Sequence, residues 1–248
     1  RTLLEENGIA DVKIQKPIYS QLTEIQELKI DFGLVGKINK NNDRNQNLIT
    51  VLNHLDEMYT GYRQIYTDGS KDPDKKLAGA GVVIYSPDYC SNIESKAIEI
   101  ELKLDPLLSI FTCELTAIQV AIKHIEKNMP AKTVILTDSL SSLQALKSGD
   151  SKNRPDKINW ILKQTNLLLK QNIDIEFVWI PSHIGIDGNE TADKLAKKGS
   201  TKGLLFNTLA GVSEIYSLIQ RKLKEKLLKR WNEYKTVNNI TINCNLPV

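Results

Sequence analysis

From residue 62 onward the hydrophobic and polar positions fall into regular periods. "YRQIYTD" (62–68) is a β-type run that ends at Asp68, with Gly69 and Ser70 following as turn residues. "AGAGVVIYS" (78–86) predicts a second strand whose small residues allow close approach. "ESKAIEIELK" (94–103) alternates polar and apolar, as a half-exposed third strand does. The short breaks between these runs predict an antiparallel meander. The period then changes to helical. In 110–127, Phe111, Leu115, Ile118, Ile122 and Ile125 recur on one stripe. "KTVILTD" (132–138) predicts a buried strand, and 139–148 a short helix with Ser139 at its N-cap. Residues 156–171 predict a further helix, 173–180 a strand, and 187–199 a helix ended by Gly199. This order predicts an α/β fold: a mixed five-stranded sheet, its first three strands antiparallel, with helices on both faces.

The flanks carry weaker patterns. Residues 18–32 have some helical periodicity, and the Asn-rich stretch 36–47 is polar enough to be a linker. Within 213–234, Ile215, Ile219, Leu223, Leu227 and Trp231 form the apolar stripe of a basic amphipathic helix. The last dozen residues carry no pattern of an element. The predicted organisation is therefore an N-terminal connection (1–61), a central domain (62–200) and a C-terminal basic helix with a tail (201–248).

Composition narrows the class. The chain has 248 residues, 41% hydrophobic and 25% charged, which is ordinary globular usage. No apolar run approaches the length of a membrane span, and no secretory leader is expected. The chain starts at Arg1, which predicts a fragment of a longer polypeptide. Cys90, Cys113 and Cys244 are odd in number and scattered, which argues against a disulfide framework or zinc site and fits a reducing, intracellular setting. The net charge of +3 is unevenly spread. Residues 63–200 hold 18 basic and 18 acidic groups, whereas residues 201–248 hold 8 basic and 3 acidic. A basic excess of this kind is where a nucleic-acid contact is expected.

Four carboxylates stand out, each with an ordinary alternative. Asp68 and Asp138 follow strands, where Asp also serves as a turn residue or helix cap. Glu114 lies on the apolar stripe of its helix. Burying a lone carboxylate is costly, so it needs a charge partner or a metal unless it escapes to solvent from the stripe's edge. Asp193 sits beside the small stripe of Ala192, Leu195 and Ala196, and alone it reads as an exposed helix residue. His183 follows a strand in a Gly-rich loop, where a histidine is ordinarily a surface residue. Taken together, two carboxylates at strand ends and two on helices match the oxygen-ligand preference of hard divalent cations. Two such ions can activate a water and stabilise a leaving oxygen in phosphodiester cleavage.

"YTDGSK", "CELTAIQVAI", "VILTDSLSSLQAL" and "VWIPSHIGIDGNETADKLAKKG" resemble, in order and spacing, the successive motifs of the ribonuclease H family. The form "WIPSHIGIDGNETADKLA" is most similar to the ribonuclease H domains of non-LTR retrotransposon polyproteins. The resemblance covers roughly residues 62–200. It implies a ribonuclease H-like fold and an acidic quartet of Asp68, Glu114, Asp138 and Asp193, holding two Mg²⁺, with Mn²⁺ as an alternative. It implies His183 as a mobile-loop histidine that assists proton transfer or product release. Gly69, Ser70, Ser139 and Asn189 are implied as substrate-binding, with Gly69 and Ser70 leaving room for a nucleic-acid backbone. Asp187 competes for the fourth ligand position, and "NETAD" favours Asp193. The sequence departs from cellular members in two places. The loop 149–155, "GDSKNRP", is too short for their basic protrusion, and "SIFT" before Glu114 lacks their Asn. Backbone groups are then the remaining source of RNA discrimination.

The expected activity is metal-dependent hydrolysis of the RNA strand of an RNA–DNA hybrid, with a reverse transcriptase domain upstream in the same polyprotein and no membrane partner. Two rivals stand beside it: a DNA-acting nuclease of the same fold, and a catalytically silent hybrid-binding or structural domain.

Overall fold

The computed structural model describes residues 28–38, 43–85, 97–149 and 153–238. Its strands are β1 (Lys29–Asp31), β2 (Arg63–Asp72), β3 (Leu77–Tyr85), β4 (Ile98–Lys103), β5 (Lys132–Thr137), β6 (Asp174–Trp179) and β7 (Leu204–Leu205). Its helices are α1 (Arg44–Tyr59), α2 (Ile110–Asn128), α3 (Leu140–Ser148), α4 (Pro155–Leu169), α5 (Asp187–Lys202) and α6 (Val212–Val237).

The strands form one mixed sheet in the order β1-β6-β5-β2-β3-β4-β7. The expected meander is present: β2 pairs antiparallel with β3, and β3 with β4. β5 lies parallel to β2, and β6 parallel to β5. The sheet has seven strands rather than five. The two additions are edge strands, β1 parallel to β6 and β7 parallel to β4. At three and two residues they are too short to display an alternating pattern.

Both faces are covered. Along β5, Val134 and Leu136 point into one apolar layer and Ile135 into the other, as the period of two requires. The first layer includes Val51, Leu55 and Tyr59 of α1 and Ala192 and Leu195 of α5. The second includes residues of α2, α3 and α4, together with Ile215 of α6. Residues 44–47 of the expected linker are helical and belong to α1. The expected C-terminal tail from 239 lies outside the described residues.

Two glycines take roles other than those expected. Gly199 does not end α5, which continues to Lys202. A Cβ there would stand 2.7 Å from the Leu102 amide nitrogen, so the missing side chain lets α5 lie against β4. Gly69 is not a turn residue, because β2 runs on to Asp72 and Gly69 pairs with Ala80. Among the described residues no helix is long and apolar enough to cross a membrane.

Candidate functional site

The register of β2 and β5 creates the site. Their parallel pairing ends at Thr67 and Thr137. Asp68 and Asp138 are the next residues on each chain, so two carboxylates emerge side by side. Asp68 is held from its other side by β3, opposite Gly81. It is therefore an interior residue of β2, not its last. Asp138 belongs to the turn into α3, and its carbonyl accepts a hydrogen bond from Trp179 Nε1 at 3.1 Å.

Glu114 arrives from α2. Ser109 caps that helix, its hydroxyl accepting from the Thr112 amide at 3.2 Å. α2 crosses β2 at Gly69, where a Cβ would stand 2.6 Å from the Glu114 amide nitrogen. The space left by Gly69 is thus filled by α2, which brings Glu114 against the strand. Ligand oxygens of Asp68, Glu114 and Asp138 all lie within 4.8 Å of one another. Asp68 and Glu114 are buried, each with 7% exposure.

This packing puts like charges together in a dry place. Burial, then the charges of Asp138 and Asp193, push the Asp68 carboxyl up to about 8. Burial, reinforced by Asp68 and Asp138, holds Glu114 well above the ordinary carboxylate range. Burial also raises Asp138, against the lowering effects of the Asn189 amide and the His183 charge. Glu114 Oε2 is buried without a hydrogen-bond partner among the described residues. An orphaned carboxylate oxygen within a three-carboxylate cluster fits a divalent cation, which supplies the missing positive charge and accepts oxygen ligands.

The other expected residues surround this trio. Asp193 faces Asp68 from α5, and its carboxylate also accepts from Lys197 Nζ at 2.7 Å. Asp187, the competitor for the fourth position, is exposed at the start of α5, where its charge bears on Tyr66. His183 is exposed in the loop before α5, with a left-handed φ of 57°. Asn189 is buried, and its Nδ2 donates to Asp138 Oδ2 at 3.3 Å. It stands behind Asp138 and orients it. Ser139 Oγ shares a hydrogen bond with Ser142 Oγ at 2.8 Å, and Ser70 pairs with Gly79 within the sheet.

A buried ionic network beside α2 has almost no mark in the sequence. Arg154, 3% exposed, pairs with Asp156 Oδ2 at 2.7 Å and with Glu214 Oε2 at 3.3 Å. Glu214 also accepts from the Ser109 amide at 2.6 Å and the Gly211 amide at 2.7 Å. The only available signal was the position of Glu214 at the third residue of α6. The residue at the cap is Gly211 rather than Ser or Thr, so the usual capping-box text is missing.

A mixed α/β sheet that gathers three carboxylates where the parallel pairing of its two central strands ends defines a candidate divalent-metal protein. More particularly, the chain belongs to the ribonuclease H family, whose RNase H model matches residues 61–201. Among solved structures it is similar to the RNase H1 from the halophilic archaeon Halobacterium salinarum NRC-1. That match has 19% sequence identity and a TM-score of 0.42, and covers 56% of this chain and 97% of that one.

Proposed function

We propose that this protein is an endonuclease that hydrolyses the RNA strand of RNA–DNA hybrids, with Mg²⁺ or Mn²⁺ as cofactor. The observation that carries the proposal is the carboxylate trio, with its oxygens within 4.8 Å, inside the segment that matches the family. Asp68, Glu114 and Asp138 hold the metal, and Asp193 completes the acidic set. When bound, two divalent cations supply an activated water and stabilise the leaving oxygen. Asp68 offers carboxylate oxygens from a position paired with β3, one residue past the last pair with β5. Glu114 is delivered by the crossing of α2 over Gly69. Asn189 fixes the orientation of Asp138 through its amide. His183 accepts or returns a proton at the exposed side of the site, where its imidazole can reach water and substrate alike.

The wider setting follows from the retrotransposon-like form of the last motif. The domain is proposed to work downstream of a reverse transcriptase in one polyprotein, in an intracellular compartment. The test is a panel of matched duplexes with each strand labelled in turn: RNA–DNA hybrid, duplex DNA and duplex RNA. Cleavage confined to the RNA strand of the hybrid supports the proposal. Cleavage of duplex DNA makes the protein a DNA nuclease of the same fold. No cleavage of any duplex with Mg²⁺ or Mn²⁺ makes it a silent domain.

A further inference from the structure

Helix α6 changes character along its length. Its first two turns are docked: Glu214, Ile215 and Leu218 are buried, and Glu214 is tied to Ser109, Gly211 and Arg154. Beyond Gln220 no residue of the helix joins either apolar layer, and Lys222, Leu228, Trp231 and Lys235 are half-buried. Residues 221–237 extend for roughly 25 Å at the usual rise per residue. None of them is buried. This outer part holds seven basic residues, Arg221, Lys222, Lys224, Lys226, Lys229, Arg230 and Lys235, against Glu225 and Glu233.

The charges are placed as well as numerous. Ile215, Leu218, Lys222, Lys226 and Lys229 follow one another at intervals of three or four, so they share one side of the helix. The row is apolar in the docked turns and basic from Lys222 onward. The apolar residues Tyr216, Leu223, Leu227 and Tyr234 lie on a different side and are exposed, so the expected stripe from Ile215 to Trp231 winds away from the docked face instead of following it. The lysine row therefore faces the same way as the docked face. It also starts on the elements that carry two of the carboxylates, α2 and β2. The docked turns are bonded to Ser109, the cap of the helix that carries Glu114. Arg221 and Lys71 line one cavity of about 410 Å³, and Lys71 follows Asp68 by three residues on β2.

We propose that residues 221–237 form a nucleic-acid arm whose Lys222–Lys226–Lys229 row contacts the phosphate backbone of the hybrid that enters the carboxylate site. The proposal rests on the hybrid-cleaving function above. The seven residues 149–155 are too few for a basic protrusion, and the arm supplies a positive surface from another part of the chain. A buried ion pair at its root fixes the direction in which it points. Compact phosphate contacts of this type release counterions, so they are read directly as a salt dependence of binding.

The test is the affinity of the full chain for an RNA–DNA hybrid, followed by fluorescence anisotropy with Ca²⁺ in place of Mg²⁺, over a range of salt. The comparison is with Lys222→Gln/Lys226→Gln/Lys229→Gln. Each phosphate contact adds about 0.9 to the slope of log affinity against log salt, so the triple variant is expected to lose about 2.7. Between about 50 and 200 mM salt the wild type then loses roughly 40-fold more affinity than the variant. Each single Lys→Gln variant is expected to lose about 0.9, which keeps the test open if the triple variant fails to fold. Leu223→Ser/Leu227→Ser, on the other side, should leave the slope unchanged. An unchanged slope in the lysine variants overturns the arm, even where the wild type still cleaves hybrid. A slope altered only by the leucine variant also overturns it and makes the outer helix a protein-docking surface. A wild type that neither binds nor cleaves hybrid overturns the proposed function and the arm together.

Discussion

Asp68 carries the sharpest residue-scale consequence. Its folded-state carboxyl is raised to about 8 by burial and by neighbouring carboxylates, whereas an unfolded Asp titrates near 4. The folded protein therefore binds this proton more tightly than the unfolded chain. Its stabilising contribution is present below about pH 4 and is lost as pH rises through about 8. Metal-free protein is expected to melt at a progressively lower temperature from about pH 5 to about pH 9. Asp68→Asn should remove much of that decline, because it deletes one of the crowded charges while keeping the shape. Chelator-treated melts of the two proteins across that range check this, and a wild-type melting temperature that climbs with pH would refute it. His183 belongs to a different class. It is exposed and lies outside the trio, so His183→Ala should slow cleavage by about 10²–10⁴-fold without abolishing it. Calorimetric titration with Mg²⁺ should be nearly unchanged by that substitution, whereas a large fall in metal affinity would make His183 a ligand.

At the scale of elements, the legibility of the sequence depended on length and on partners. The long periodic runs were readable: the stripe of α2, the buried run of β5 and the small residues of β3 all became the elements expected of them. Asp68 was legible as one of a set of carboxylates, three of which cluster, but not as an interior strand residue. Gly69 and Ser70 look like a turn in text, and only the antiparallel pairing with β3 keeps them extended. β1 and β7 were not legible, because two or three residues show no period. Glu114 was legible as an anomaly on an apolar stripe, and its neighbours explain it. Arg154 and Glu214 were not legible, since a buried ion pair between distant segments leaves no local mark. Their network gives a test of its own. Glu214→Ala leaves Arg154 with one carboxylate partner fewer and frees the Ser109 amide. A loss of about 3 kcal/mol is expected by chemical denaturation, in the range for a broken buried pair. A change within a few tenths of that unit would show that the root of α6 is not held by this pair.

At the scale of the whole molecule, the sheet links every part of the site to one body. α5, which bears Asp193 and Asn189, is tied to α1 through Arg44 and Glu190 at 2.9 Å. β1 and α1 come from the stretch before residue 62, yet β1 extends the same sheet and α1 buries Val51, Leu55 and Tyr59 against it. A chain of residues 62–248 is therefore expected to melt several degrees below the full chain, and equal melting temperatures would show that the N-terminal elements add no stability. The central claim concerns what the carboxylate trio does, and one measurement addresses it most directly. It is the rate of RNA-strand cleavage in an RNA–DNA hybrid by the full chain and by Asp68→Asn, with Mg²⁺ present and folding checked by circular dichroism. The account predicts metal-dependent cleavage by the wild type and background cleavage by a folded Asp68→Asn. Near wild-type turnover by that variant would contradict the assignment of the trio as the metal-binding catalytic centre.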